Sequence, residues 1–213
     1  MSIKKVVKMA PKLGSMLLII IASCLLTKIF YIEIKAIIAQ RLLIHSWEKS
    51  KKTQSEIKPW LWADIHPIGS LTVPRLTIHQ IILNGHSGEA LAFGPGEITR
   101  GSAISLAGHR DSHFKFLESI QLGDKIVLED INTRERSYEV KKIYIQDTQK
   151  DANLKLKQNT LSLVTCYPFD SAFSGGPLRY IVEAIPIHND TLATEEYRQN
   201  SEKEMPLTTA YRF

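Results

Sequence analysis

The sequence predicts a mainly β protein, a closed barrel or sandwich, carried behind an N-terminal membrane helix. Three observations predict it. A lysine cluster precedes an apolar run at the N-terminus. Some seven or eight short β-rich segments, bounded by Gly and Pro, follow between residues 71 and 184. Little helix is interleaved with them. The chain has 213 residues, 44% hydrophobic and 23% charged, which suits one globular domain plus attachments.

Residues 1–12 form a basic segment, with Lys4, Lys5, Lys8 and Lys12 and no acidic residue. These four lysines account for most of the net charge of +5, leaving +1 (5 − 4) for the rest. No basic stripe with interleaved aromatics appears, so nucleic-acid binding is not expected. The run from Leu13 to Phe30 approaches the ~20 apolar residues that span a bilayer. Lys28 near its end can snorkel to the headgroups. Residues 13–31 are therefore expected to be an uncleaved transmembrane anchor. Cleavage or lipidation around Ala22-Ser23-Cys24 fits less well, because the apolar run continues beyond it. The N-terminal lysines keep their side cytoplasmic and place the remainder outside.

Residues 32–58 are expected to form a helical stalk or packing helix and linker, with Ile34, Ile37, Ile38, Leu42 and Trp47 near helical spacing. The compact domain is placed at 59–188. It opens on Pro59-Trp60-Leu61-Trp62, whose two tryptophans are expected to cap a core. Strands are expected at 71–76, 78–83, 103–108, 125–129, 137–145, 161–165 and 178–184. The Gly-rich stretch 93–96 is expected to be a tight turn. Residues 189–213 form a polar tail, flexible or draped over the surface. No internal repeat is visible, and the motifs GxGxxG, GxxxxGK[ST], GxSxG and HExxH are absent.

Cys166 is the candidate for chemistry. It ends the apolar run Leu161-Ser162-Leu163-Val164-Thr165, and the chain's other cysteine, Cys24, lies in the N-terminal apolar segment. On its own a lone thiol reads as a buried filler. An unpaired thiol outside the cytoplasm is unusual, and with a His and a polarising group beside it becomes a nucleophile. His109 follows the small Gly108 at the end of a buried strand, where it can exchange protons. His45, His66, His79, His86 and His188 read as surface or satisfied core residues. Arg179, 13 residues after Cys166 (179 − 166), enters the next strand after Gly175-Gly176-Pro177 and can return beside the thiol. An Arg in a β-run is costly without an anionic partner or a task.

Together these give a Cys, a His and an Arg at three strand ends, and here the chain resembles a known family, the sortases. Their TLxTC motif is matched by Ser162-Leu163-Val164-Thr165-Cys166, with Ser in place of the first Thr; their His by Gly108-His109; their Arg by Arg179. The resemblance is closer to the Gram-negative class GN, through Pro59-Trp60-Leu61-Trp62-Ala63-Asp64, 88–96, Ala107-Gly108-His109-Arg110-Asp111-Ser112-His113-Phe114 and Cys166-Tyr167-Pro168-Phe169-Asp170. It implies a closed eight-stranded β-barrel with short helices, on a single inner-membrane anchor, facing the periplasm. It also implies a cysteine transpeptidase that cleaves a C-terminal sorting signal of a secreted protein and passes it through an acyl-thioester to an amine acceptor. Cys166, His109 and Arg179 would be catalytic, and Thr165, Asp111 and His113 would bind substrate or support the site.

With reference values of about 8.5 for a thiol and 6.5 for an imidazole, thiolate and imidazolium coexist in about one molecule in a hundred near neutral pH. Slow turnover is expected unless the site shifts these values. Three rival readings fit less well. An L,D-transpeptidase would place Ser-x-Gly before the Cys and an Arg close after it. A zinc site from His109, His113 and Cys166 would need a helical His-x-x-x-His and a further ligand. A catalytically inactive membrane-anchored binding barrel would leave His109 and Arg179 without a task. No acidic cluster precedes the Arg179 strand, so no calcium or other cofactor is expected.

Overall fold

The computed structural model describes residues 3–99, 103–150, 159–171 and 175–187. The elements are α1 (Ile3–Thr53), β1 (Pro67–Val73), β2 (Ile78–Leu83), α2 (Gly88–Phe93), β3 (Gly96–Thr99), β4 (Ile104–Ala107), β5 (Lys125–Asp130), β6 (Glu135–Asp147), β7 (Leu161–Cys166) and β8 (Leu178–Pro186). Single 3₁₀ turns cover Pro74–Leu76 and Lys115–Ser119. The eight strands close into a barrel in the order β1-β2-β3-β4-β7-β8-β6-β5. Most neighbours are antiparallel, but β2–β3 and β4–β7 are parallel. Leu71, Val73, Leu106, Phe114, Ile126, Val140, Leu163 and Val182 fill the interior with others of their kind. Closure is thinnest at the β2–β3 seam, where the described residues pair only at Leu83↔Gly96.

The strands at 103–108, 125–129, 137–145, 161–165 and 178–184 lie where the sequence predicts them, with shifts of one or two residues at their ends. The expected strand 71–76 instead runs from Pro67 to Val73. Pro74 starts a 3₁₀ turn there, closed by Thr77 in the left-handed region (φ 54°). Two elements differ in kind. The stretch 93–96 is not merely a turn: Gly96 begins β3, and a Cβ on it would stand 2.2 Å from the Gly85 carbonyl oxygen. That approach admits only glycine. Just before it, Ser87 caps α2, its Oγ accepting from the Ala90 amide (3.2 Å).

Helix α1 packs by a different face from the one expected. Ala39, Leu43, Ser46, Trp47 and Ser50 are buried, whereas Ile34, Ile37, Ile38 and Leu42 are exposed. The buried face joins a second core with Ala63, Ile65, Ile81, Leu83 and Ala90. So residues 39–50 are a packing helix rather than a free stalk, and helix continues to Thr53 where linker was expected. Only one of the paired tryptophans caps this core. Trp60 meets Phe93 edge-on at 5.1 Å, while Trp62 is 81% exposed. Between α1 and these aromatics runs a groove of about 460 Å³, lined by Ile38, Leu42, Trp60, Trp62 and Phe93 among others. Helix α1 covers the expected anchor 13–31. Among the described residues, no helix is long and apolar enough to cross a membrane. The tail 189–213 lies outside the described residues.

Trp47, 1% exposed, is the largest side chain joining helix to barrel. Trp47→Ala should cost about 3–5 kcal/mol of the stability that holds α1 to the barrel, through lost transfer energy plus the cavity left behind. An equilibrium urea titration, followed separately by helix and barrel signals, checks this.

Candidate active site

The site is built on the parallel pair β4–β7. The register runs Ile104↔Leu161 to Ala107↔Val164, a constant offset of 57 (161 − 104). Pairing continues past the last strand residue: the Gly108 amide donates to the Val164 carbonyl (3.2 Å). Thr165 Oγ1 donates to the Gly108 carbonyl (2.7 Å), a buried bond. The same offset brings His109 level with Cys166. Gly108 is required here, because a Cβ would lie 2.6 Å from the ring of the fully buried Phe114. The His109 carbonyl then accepts from the amides of Ser112 (3.3 Å) and Phe114 (3.0 Å), which turns the chain away from the barrel rim.

Strand β8 supplies the third side. It pairs antiparallel with β7, with Cys166↔Arg179, Val164↔Ile181 and Ser162↔Glu183 as partners. The intervening Leu161, Leu163, Val182 and Ala184 point into the core. Because side chains alternate and paired residues share a face, Cys166 and Arg179 stand on the outside of the barrel wall. Further along this face Ser105, Ser162, Val164, Ile181 and Glu183 are buried, whereas Cys166 and Arg179 at the rim are half-buried and His109 is exposed.

Three predicted residues thus converge on one edge of the barrel. The Arg179 guanidinium, however, turns along its own loop. Nη1 donates to the Gly176 carbonyl (2.6 Å) and the Leu178 carbonyl (3.0 Å). Thr165 is the buried link just described. Asp111 is exposed and receives Arg110, whose hydrogen bonds hold its carboxyl below the usual range. His113 lies on the far side of the turn, its ring near Gln80 Oε1 (3.3 Å) and the Ala92 carbonyl (3.5 Å). Burial is the main cause that pushes its pKa down, so this imidazole is neutral near pH 7. Residues 109–113 form turns, not a helix, so the His-x-x-x-His spacing does not align two rings on one face. Among the described residues, no group of three His, Cys, Asp or Glu side chains is placed to hold a metal.

Sequence reasoning missed Arg110. It is 5% exposed, and its guanidinium binds Asp111 and two carbonyls of the loop that follows Cys166. The only signal was an Arg beside the candidate His. It missed also the aromatic cluster beneath that loop. Tyr167 stacks on Tyr180 (6.1 Å, 19°), and Phe169 meets Tyr180 edge-on (5.1 Å). The Tyr167 amide donates to the Leu178 carbonyl (3.0 Å), carrying the β7–β8 ladder one residue past the thiol.

Gly108→Ala tests how tightly His109 is placed. Overpacking against Phe114 should cost about 1–3 kcal/mol in a denaturant titration. It should also slow any reaction that uses His109 more than it destabilises the barrel.

The chain was compared with known proteins. The sortase domain family matches residues 71–187. No curated protein matches. Among solved structures, a Clostridium perfringens sortase D5 transpeptidase is similar with a TM-score of 0.52 and 21% identity, covering 70% of this chain and 98% of that one. The lid mutant of Corynebacterium diphtheriae sortase A aligns with a TM-score of 0.51 and 18% identity, covering 73% and 97%. Another structure of sortase A from that organism, at TM-score 0.48 and 23% identity, is spanned over only 66% of its length. At these identities the structures establish likeness of fold. A family match across more than half of the chain, on a closed eight-stranded barrel, is decisive: the chain belongs to the sortase family.

Proposed function

We propose that the chain is a membrane-anchored cysteine transpeptidase that cleaves the C-terminal sorting signal of a secreted protein and joins the product to an amine. The observation that carries this reading is the shared rim: Cys166 paired with Arg179 on β8, and Gly108 tied to β7 beside it with His109 next in line. In the first half-reaction the Cys166 thiolate adds to a backbone carbonyl carbon, forming a C–S bond and a tetrahedral oxyanion. The C–N bond then breaks. The imidazolium of His109 gives its proton to the departing amine, leaving an acyl-thioester and a neutral imidazole. In the second half an amine adds to the thioester carbonyl and gives its proton to His109. The C–S bond breaks and the thiolate returns.

Arg179 is assigned to the oxyanion or to the substrate backbone. To serve there its side chain must swing from the Gly176 and Leu178 carbonyls, which it now occupies, toward the sulfur. Asp111 and Thr165 support the site through Arg110 and Gly108 respectively. The four motifs quoted above favour class GN.

An inner-membrane anchor at 13–31, with the barrel in the periplasm, is part of the same reading. The large apolar residues exposed on α1, such as Leu18, Ile19, Ile20, Leu25 and Leu26, support it. So does the exposed Trp62 beside the helix, a residue type favoured at membrane interfaces.

Cys166→Ala should abolish both the covalent acyl-enzyme detected by mass spectrometry and the transfer product. Persistence of either sinks the mechanism. His109→Ala should lose on the order of 10² to 10⁴ in turnover, and Arg179→Ala about 10² to 10³. The full chain should float with vesicles and resist alkaline extraction; release into the carbonate supernatant would refute the anchor and leave the chemistry untouched.

A further inference from the structure

Arg110 takes no part in the bond-making and bond-breaking steps above, yet it is among the most buried charged groups of the described residues. Withdrawing a guanidinium from water is costly unless it is paired and its donors are used. Here they are used on two sides. Toward its own turn, Nε donates to Asp111 Oδ1 (2.9 Å) and Nη2 approaches Asp111 Oδ2 (3.4 Å). Toward the loop after β7, Nη1 donates to the Pro168 carbonyl (2.7 Å) and Nη2 to the Ser171 carbonyl (3.0 Å). Those carbonyls belong to residues two and five places beyond the thiol (168 − 166, 171 − 166), while Arg110 itself directly follows His109. One planar side chain therefore joins the turn that holds the imidazole to the loop that holds the sulfur.

We propose that Arg110 is a positioning residue for the chemistry at Cys166, tying the 167–171 loop to the His109 turn and setting a fixed positive charge beside the sulfur. This inference rests on reading Cys166 as the nucleophile. Its two parts have the same geometric cause. The fork that grips two carbonyls and a carboxylate cannot rotate away, so its charge stays where it is. Asp111 is the main cause that holds the guanidinium charged, and Cys166 and Asp170 add to it. A cation fixed on the Pro168 carbonyl, two residues beyond the sulfur, attracts negative charge that develops there. Among the described residues, the other charged groups at this rim are His109 from the β4 end, Arg179 from β8, and Asp111 and Asp170 from the two loops. Of these, Arg110 alone is both buried and always charged. A lysine would keep the charge but not the fork, which separates the two parts experimentally.

The test uses the full chain in detergent or vesicles with Cys24→Ser, so that Cys166 is the single thiol, and iodoacetamide as the probe. The alkylation rate is followed from about pH 5 to pH 9, bracketing the ordinary thiol range. In Arg110→Met the curve should move to higher pH, with a rate near pH 7 lower by about tenfold, the effect of one pH unit on thiolate fraction. Arg110→Lys should restore most of that rate. Amide hydrogen exchange in 167–171 should speed up in both variants, because neither has the fork. A merely structural arginine would change the exchange and leave the alkylation curve in place.

A parental thiol that reacts, with a folded Arg110→Met curve superimposed on it, overturns this inference alone. A parental thiol inert to iodoacetamide overturns the nucleophile reading and this one with it. Should Arg110→Met fail to fold, Asp111→Asn leaves Arg110 on its carbonyls without its carboxylate. Removing that anion leaves the cation unopposed, so a curve moved to lower pH supports the proposal, and no shift or a shift to higher pH overturns it.

Discussion

Everything at the rim depends on the parallel pairing of β4 with β7, and on the one side-chain bond that extends it. Parallel strands in a barrel have no hairpin to set their register. The chain between them, from Ala107 to Leu161, carries two further strands and a long connection. Register comes instead from the ladder and its last rungs, where Thr165 Oγ1 reaches the Gly108 carbonyl and the Gly108 amide reaches Val164. A slip by one residue would turn Cys166 inward and expose Leu163. The buried hydroxyl thus protects both the core and the direction of the thiol. A hydroxyl on Thr165 is worth more here than its modest hydrogen-bond energy, because its partner is the backbone of the residue before His109.

Around that frame the loops are held by different forces on each side of the sulfur. Beneath the 167–171 loop lie aromatic contacts among Tyr167, Phe169 and Tyr180, backed by the barrel core. Across it lies a charge-assisted network through Arg110. Tyr180 sits where burial, its main influence, pushes the phenol pKa up, so the aromatic side adds no charge to the site near neutral pH. The electrostatics of the rim are therefore set by the guanidinium groups, His109 and two solvent-facing carboxylates.

Much of this was legible in the sequence. β7 announced itself because it is buried on both faces and so reads as an apolar run. β6 did so through its alternation. The His, Cys and Arg could be chosen because each ends or begins such a segment. What could not be read depends on non-local partners. β3 is four residues long and includes a glycine needed only because the Gly85 backbone passes over it. The packed face of α1 differs from its most apolar face, since Ile34, Ile37 and Ile38 stay exposed while Ala39, Ser46 and Ser50 are buried. Arg110 received no reading of its own in the sequence because its carbonyl partners lie 58 and 61 positions away.

The continuity of α1 has a mechanical consequence. From Tyr31 to Thr53 the helix contains no glycine or proline, and from Ala39 onward it is cemented to the barrel. If the bilayer ends near residue 31, the first cemented residue stands about 12 Å above it, at 1.5 Å per residue over eight residues. On the proposed anchor, such a strut would hold the thiol at a set altitude over the membrane. A peptide still tethered by its own membrane segment would then be selected by how far its scissile bond stands off the surface, as well as by its side chains. The enzyme would gauge length before it reads sequence.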